Sequence, residues 1–298
     1  MPLTFDNLVN EVLQELYGAG LAQPRASFLT VGVDADDLTF TVTDASSFSQ
    51  GVAEIGNELV FVESVDATNN TLTISPDGRG YYGTTAAVHA INARIEFAPT
   101  WSKQKIASAI NEAILNTYPT LFGTGTTSFT YNPAITTYSV AAEAEAVLKV
   151  TADTIGPSLE QVQITRYSFN SVAPSSEFAT GNSITLERAP LPGRSVTVTY
   201  AKVPSEITFG DSFTECGLRE TARLAVKYGA CASLTAYLDA ARLPVGIAQA
   251  DEYDPSKNGV GNASRISAQL YQRYLIELEN ERKRLRLTTP IPLSKRTR

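Results

Sequence analysis

Residues 71–97 read TLTISPDGRGYYGTTAAVHAINARIEF, and the choice between two folds turns on them. Gly78-Arg79-Gly80-Tyr81-Tyr82-Gly83 has the glycine spacing of a dinucleotide-binding turn, and the β-rich run Thr71-Leu72-Thr73-Ile74 precedes it. Such a turn works only when its last glycine opens a helix of about ten or more residues that returns the chain to a parallel strand. Here eight residues separate Gly83 from Asn92, and β character resumes at Ala93. The crossover is too short, so no cofactor is expected. The glycines instead suit a tight turn with positive φ, with Arg79 and the tyrosines anchoring the loop. Gly78, Arg79, Gly80, Gly83 and His89 are therefore read as a structural loop, with His89 hydrogen-bonded to the backbone.

The flanking sequence fits a small antiparallel β module over residues 27–99. Leu38-Thr39-Phe40-Thr41-Val42 alternates with period two. Leu59-Val60-Phe61-Val62 and Thr71-Leu72-Thr73-Ile74 are β-rich with a turn at Asn69-Asn70, and Ala93 to Phe97 makes a last strand. Before this module, Phe5, Leu8, Val9, Val12, Leu13 and Leu16 lie on one helix face, capped by Thr4 or Asp6 and stopped at Gly18 and Gly20. After it, Ser102 is a candidate N-cap for a helix with Ile106, Ala109, Ile110, Ala113 and Ile114 on one side. Trp101 precedes that helix, where it serves packing.

A second β region covers residues 124–206. Its strands are expected at Val147–Val150, Val162–Ile164, Ser183–Leu186 and Val196–Tyr200, with Pro190, Pro192 and Gly193 turning the last pair. Helix returns over residues 207–287. Gly217 and Gly229 are candidate interruptions, and a long final helix starts near Ser264. Isolated helices of about 12–15 residues are marginal in water, so the helical blocks need a common core. The expected fold class is α+β: a discontinuous helical core of N-terminal (1–26), middle (100–123) and C-terminal (207–287) helices. Two antiparallel β modules are inserted in its loops, and residues 288–298 form an extended basic arm.

Composition narrows the function. No run of about 18 apolar residues occurs, so no membrane span is expected. The start Met1-Pro2-Leu3-Thr4-Phe5-Asp6 lacks the character of a secretory signal. Cys216 and Cys231, the only two cysteines, lie fifteen residues apart in a stretch read as helical, roughly 22 Å and beyond disulfide reach. Buried reduced thiols fit assembly in a reducing cytoplasm. Two thiols do not make a zinc site. The acids Asp34, Asp36 and Asp37, like Asp251, Glu252 and Asp254, lack the glycine and distal glutamate of a calcium loop. His89 is the single histidine, and neither a nucleophile elbow, a zinc-protease motif nor a phosphate loop accompanies it. No catalytic, cofactor or metal residues are assigned, and an enzyme is not expected.

Charge is unevenly placed. The chain carries −7, yet Arg282 to Arg298 holds seven basic residues and no acidic one, so the preceding 281 residues carry −14. A basic tail on an acidic body points to an acidic partner, against the plainer reading of a solvated terminus. No aromatics are interleaved with these basic residues, which argues against sequence-specific DNA binding. Pro290, Ile291, Pro292 and Leu293 instead suit a short extended segment that fills a groove or joins a sheet edge.

Three segments resemble virion proteins of tailed bacteriophages. Gly78-Arg79-Gly80 followed by Gly83-Thr84-Thr85-Ala86-Ala87-Val88-His89-Ala90 resembles a GRGxxGTxAAxH segment of siphophage head-to-tail adaptor and neck proteins. It departs from the commoner pattern at Ile91-Asn92-Ala93. Leu186, Pro190-Leu191-Pro192-Gly193-Arg194 and Val196-Thr197-Val198-Thr199-Tyr200 resemble the β hairpin of their inserted module. The amphipathic final helix running into a basic tail is similar to adaptors whose arms clasp the portal. The resemblance implies a dodecameric ring beneath the portal protein, in the virion neck. It would be assembled in the host cytoplasm from neighbouring copies of the chain, continue the DNA channel and meet a downstream neck or tail protein. Genomic DNA would pass without specific contact, because an acidic wall does not hold it. The implied portal-binding residues are Arg282, Lys283, Arg284, Arg286, Pro290, Ile291, Pro292, Leu293, Lys295, Arg296 and Arg298. A receptor- or carbohydrate-binding tail protein is the alternative; with one tryptophan and no visible repeats it fits less well. A tail hydrolase would need paired carboxylates at a defined separation, which sequence alone does not place.

Overall fold

The apolar stripe at the start of the chain forms helix α1 (Phe5–Gly18). Thr4 caps it: its Oγ1 accepts from the Asn7 amide at 3.3 Å and its carbonyl accepts from the Leu8 amide at 3.2 Å. Phe5, Leu8, Val9, Val12 and Leu16 are buried. The computed structural model describes residues 3–18, 25–153, 161–188, 190–242 and 262–288.

Six strands follow: β1 (Arg25–Phe28), β2 (Thr39–Thr41), β3 (Gly51–Ile55), β4 (Glu58–Asp66), β5 (Thr71–Ile74) and β6 (Arg94–Phe97). They form one antiparallel sheet in the order β1-β6-β3-β4-β5-β2. The edge strands return to each other at the Leu29–Val42 bridge, where the Thr30 amide donates to Thr41 at 2.9 Å and the Thr43 amide to Phe28 at 2.8 Å. The sheet is thus curled into a half-barrel. Phe40, Val42, Ile55, Val60, Val62, Leu72, Ile74 and Ile95 fill its concave side, as the period-two alternation requires. Between β3 and β4 the chain turns on Gly56 and Asn57; Gly56 has φ +60°, the left-handed backbone such hairpin turns need.

Helix α2 (Lys103–Asn116) starts where Ser102 was expected to cap it: Ser102 Oγ accepts from the Lys105 amide at 3.2 Å. Trp101, just before it, is buried, with the Lys105 ammonium 5.0 Å from its ring centroid. The second β region comprises β7 (Gly123–Thr130), β8 (Thr137–Ser139), β9 (Ala146–Asp153), β10 (Gln161–Gln163), β11 (Tyr167–Asn170), β12 (Ser183–Leu186) and β13 (Ser195–Lys202). Its two antiparallel sheets, β10-β9-β13-β7 and β11-β12-β8, share one apolar cluster. Val150, Val196 and Val198 from the first sheet and Tyr138, Ile184 and Leu186 from the second make a sandwich. Helices α3 (Arg223–Arg242) and α4 (Asn262–Thr288) complete the described chain.

The expected separate helical core is not evident, and the α+β architecture built on it is corrected. Among the described residues the fold is a mixed one of four α-helices and thirteen strands, the strands in antiparallel sheets. Two compact units divide the chain. One holds Met1–Leu8, Asn111–Ala232 and Ala268–Arg298, with the sandwich; the other holds Val9–Ile110 and Ser233–Ser267, with the half-barrel. Every α-helix is cut by this division. A periodic stripe shows that a helix has a buried side, not what covers it. Here loops and strands do much of the covering. Phe5 meets Phe209 at 5.6 Å, the Asn111 amide brackets the backbone of Ile207, and Glu54 of β3 receives the first amide of α2. Gly229 does not interrupt α3; a Cβ there would stand 3.2 Å from the Tyr274 ring of α4, so glycine permits that close approach. Cys216 lies in a short 3-10 turn, Phe213–Cys216, rather than in a helix continuous with Cys231. Both thiols are buried and neither forms a disulfide, and burial pushes the Cys216 thiol up to about 11. Among the described residues no helix is long and apolar enough to cross a membrane.

Candidate functional site

The polar residues of the glycine-rich segment converge on one carboxylate, Glu58. It is the first residue of β4, delivered to the end of the half-barrel by the Gly56-Asn57 turn. The segment from Ser75 to Gly83 folds back over the same strand: the Phe61 amide donates to the Gly78 carbonyl at 2.8 Å, and the Ser75 amide to the Phe61 carbonyl at 3.1 Å. A Cβ on Gly78 would lie 2.7 Å from the Phe61 carbonyl oxygen, and one on Gly80 2.6 Å from that of Thr84. The backbone is too close for any other residue, and this close folding turns the Arg79 side chain inward.

Arg79 uses all five of its N–H donors. Nε donates to Glu58 Oε1 at 2.7 Å and Nη2 to Oε2 at 3.1 Å, a two-point ion pair. Nη1 donates to the carbonyls of Asp34 at 2.6 Å and Asp37 at 2.8 Å, and Nη2 to that of Ala87 at 2.8 Å. The guanidinium also sits 5.2 Å from the centroid of the Phe40 ring. Glu58, with a side chain fully withdrawn from solvent, accepts in addition from the amides of Gly80 at 3.0 Å and Ala87 at 3.1 Å. His89 Nε2 stands 2.8 Å from Oε2. The facing carboxylate has no proton to give, so Nε2 carries the hydrogen and donates. Burial pushes the Glu58 carboxyl upward, but the hydrogen bonds from His89, Arg79, Gly80 and Ala87 outweigh it and hold the group down to about 2.

His89 thus hydrogen-bonds through its ring to a carboxylate, not to the backbone as anticipated. Its own backbone pairs in both directions with Val33 at 2.9 Å. One knot ties together four stretches of chain: 33–37, Glu58, 78–80 and 87–89. Gly78, Arg79, Gly80 and His89 all belong to it. Gly83, at φ +80°, closes the following 3-10 turn, Tyr81–Gly83, with open space around it. A carboxylate with five donors around it and a depressed pKa is a poor proton acceptor, so the chemistry suited to this geometry is clamping. Glu58 escaped the sequence reading; its signal was a lone acid opening an apolar run, Glu58-Leu59-Val60-Phe61-Val62, directly after a hairpin turn.

A second buried acid lies in the same unit. Glu54 of β3 accepts from the Lys103 amide at 2.6 Å and so caps α2 from a distance. It faces Glu96 directly across the β3–β6 pair. Burial pushes it up to about 7, with Glu96 adding to the rise and Lys103 opposing it. The Tyr17 hydroxyl, also raised by burial and by Glu96 and Glu54, is enclosed without a hydrogen-bond partner. Among the described residues no group of three His, Cys, Asp or Glu is placed to hold a metal ion.

The basic residues at the end of α4 are partly engaged. Arg282 pairs with Glu279 at 3.0 Å and Arg284 with Glu281 at 3.2 Å, one turn back on the helix. Glu281 is buried and also accepts from Thr221 at 2.7 Å. Lys283 and Arg286 are exposed. Pro290, Ile291, Pro292, Leu293, Lys295, Arg296 and Arg298 lie outside the described residues. No protein-family model matches the chain, and no curated protein matches it in sequence.

Proposed function

We propose that this chain is a structural protein of a tailed-bacteriophage particle, a head-to-tail adaptor that forms a ring beneath the portal and continues the DNA channel. The observation that carries the reading is the Glu58 knot. The segment that resembles adaptor proteins, residues 78–90, devotes its charged groups to holding loops of a half-barrel together instead of presenting them in a cleft. A rigid scaffold with a strongly acidic body suits a channel wall, because like charge lets DNA pass without sticking. Ring contacts of the head-to-tail kind are heterologous interfaces between neighbouring copies, which close by rotation. The test is native mass measurement of the chain, alone and mixed with its portal. The proposal expects a closed oligomer, at the latest once portal is present; a monomer under both conditions contradicts it.

A second reading, a glycan-binding tail protein, is favoured by one feature. Tyr82 is 75% exposed beside Tyr81, the kind of aromatic pair that stacks on a sugar ring. Retention on a glycan array, lost on Tyr82→Ala, is the result that reading requires.

A further inference from the structure

Beside the knot stands an aromatic step whose last ring is largely in solvent. Phe61 lies on the outward side of β4, between the buried Val60 and Val62. The Tyr81 ring meets it at 5.3 Å, and the Tyr82 ring meets Tyr81 at 4.4 Å. Tyr82 has φ +53°, a left-handed backbone that bulky side chains rarely adopt, yet its ring is 75% in solvent. Asparagine or glycine would fill that backbone position with less strain. Strain retained for an exposed ring points to a use outside the fold. Val88, six residues after Tyr82 on the same segment, is 69% exposed.

Charge narrows what can sit there. Residues 25–98 contain ten acidic and three basic residues, a net −7. Asp77 lies on the loop that carries the tyrosines, and Glu63 follows Phe61 by two residues along β4; both are exposed. The surface therefore favours a cationic ligand with an apolar face. The chain contains such a segment. After α4 ends at Thr288, ten residues remain, with Pro290, Ile291, Pro292 and Leu293 followed by Lys295, Arg296 and Arg298 and no acid. Proline-containing segments dock on aromatic-lined surfaces with little ordering loss. Fully extended, ten residues reach ~30 Å, far enough to leave one copy and meet another.

We propose that residues Pro290–Arg298 of one copy dock on the Phe61–Tyr81–Tyr82 step of a neighbouring copy, with the basic residues against Asp77 and Glu63. This contact rests on the ring reading and names one of its interfaces. It commits the tail to a second copy of the chain, not to the portal.

The test uses the full chain with photoreactive benzoylphenylalanine in place of Tyr82, prepared with natural and with ¹⁵N isotope and mixed in equal amounts. After irradiation, the contact requires cross-linked peptides that join position 82 to residues 289–298, with the two isotopes combined in about half of them. Cross-links to the tail within single-isotope chains only, or none to the tail, overturn it. So does a tail that engages only after portal is added. A second probe guards against a local effect. With the photoreactive residue at Val88, Tyr82→Asn keeps the backbone conformation and should lower the tail cross-link about tenfold; an unchanged yield also overturns the contact. Native mass of the same samples separates this contact from the ring. Rings without tail cross-links remove the contact alone, and mixed cross-links in open dimers remove the ring alone.

Discussion

Replacing Glu58 by glutamine keeps the shape of the knot and changes its chemistry. One acceptor oxygen becomes an NH₂ donor. Oε1 serves Arg79 Nε and the Gly80 amide; Oε2 serves Arg79 Nη2, the Ala87 amide and His89. Whichever oxygen is replaced, at least two N–H groups lose their acceptor. Each buried donor so stranded costs ~1–3 kcal/mol. Removing one partner of a buried ion pair costs ~3–5 kcal/mol. The carboxyl itself gives a separate figure. It falls from 4.5 to about 2 on folding, which at about 1.4 kcal/mol for each pH unit is worth ~3 kcal/mol. The expected loss for Glu58→Gln at pH 7 is therefore about 4 kcal/mol, read as a shift in urea-unfolding midpoint at constant slope. The pH dependence follows in sign. Because the folded carboxyl is the stronger acid, its contribution is complete above the unfolded value of 4.5 and disappears as pH falls toward 2. The wild-type protein should lose stability over that acid window more steeply than the variant. A variant within about 1 kcal/mol of wild type at pH 7, or with the same acid limb, would show that the knot does not hold the half-barrel together.

Glu54 should behave in the opposite sense. Its folded carboxyl titrates near 7, above the unfolded value, so stability falls as pH rises from 4.5 through 7. Glu54→Gln mimics the neutral form and should gain up to ~3 kcal/mol at pH 8 but little at pH 4, measured by urea unfolding at both pH values. Gly78→Ala should cost ~3 kcal/mol, because its Cβ meets backbone at 2.7 Å. Gly83→Ala, with open space around it, should cost only the left-handed strain of ~1 kcal/mol; equal melting temperatures for the two would refute the close-approach argument. Deleting residues 288–298 should leave far-ultraviolet circular dichroism unchanged while lowering the yield of closed oligomer in native mass spectra; an unchanged yield would mean that the tail does not join neighbouring copies.

Local patterns were legible where one residue's neighbours along the chain decide its state. The stripe Phe5, Leu8, Val12, Leu16 and the N-cap Ser102 depend on helical spacing and on a hydroxyl three residues from an amide. The strand Ser183–Leu186 lies where turn-forming residues bound a β-rich run. Partners distant in sequence were not legible. Arg79 was singled out, but its partner Glu58 lies 21 residues away, and two of its carbonyl acceptors more than 40 residues away. Backbone acceptors leave no mark in side-chain chemistry. The curl of the sheet was hidden for the same reason, since the Leu29–Val42 bridge joins the strands that end its order. The helical core failed because an apolar face records burial without naming the surface that buries it. Strands and loops such as Ile207 and Phe209 satisfied faces that had been assigned to other helices.

The central claim is a structural place at the junction of head and tail, and a cryo-microscopy reconstruction of the neck of intact particles that contain this chain tests it most directly. The account predicts a closed, symmetric ring of this chain directly beneath the portal, with its half-barrels visible as repeated densities around an open channel. Density for the chain only at the distal tail, or in one or a few copies without ring symmetry, would contradict it.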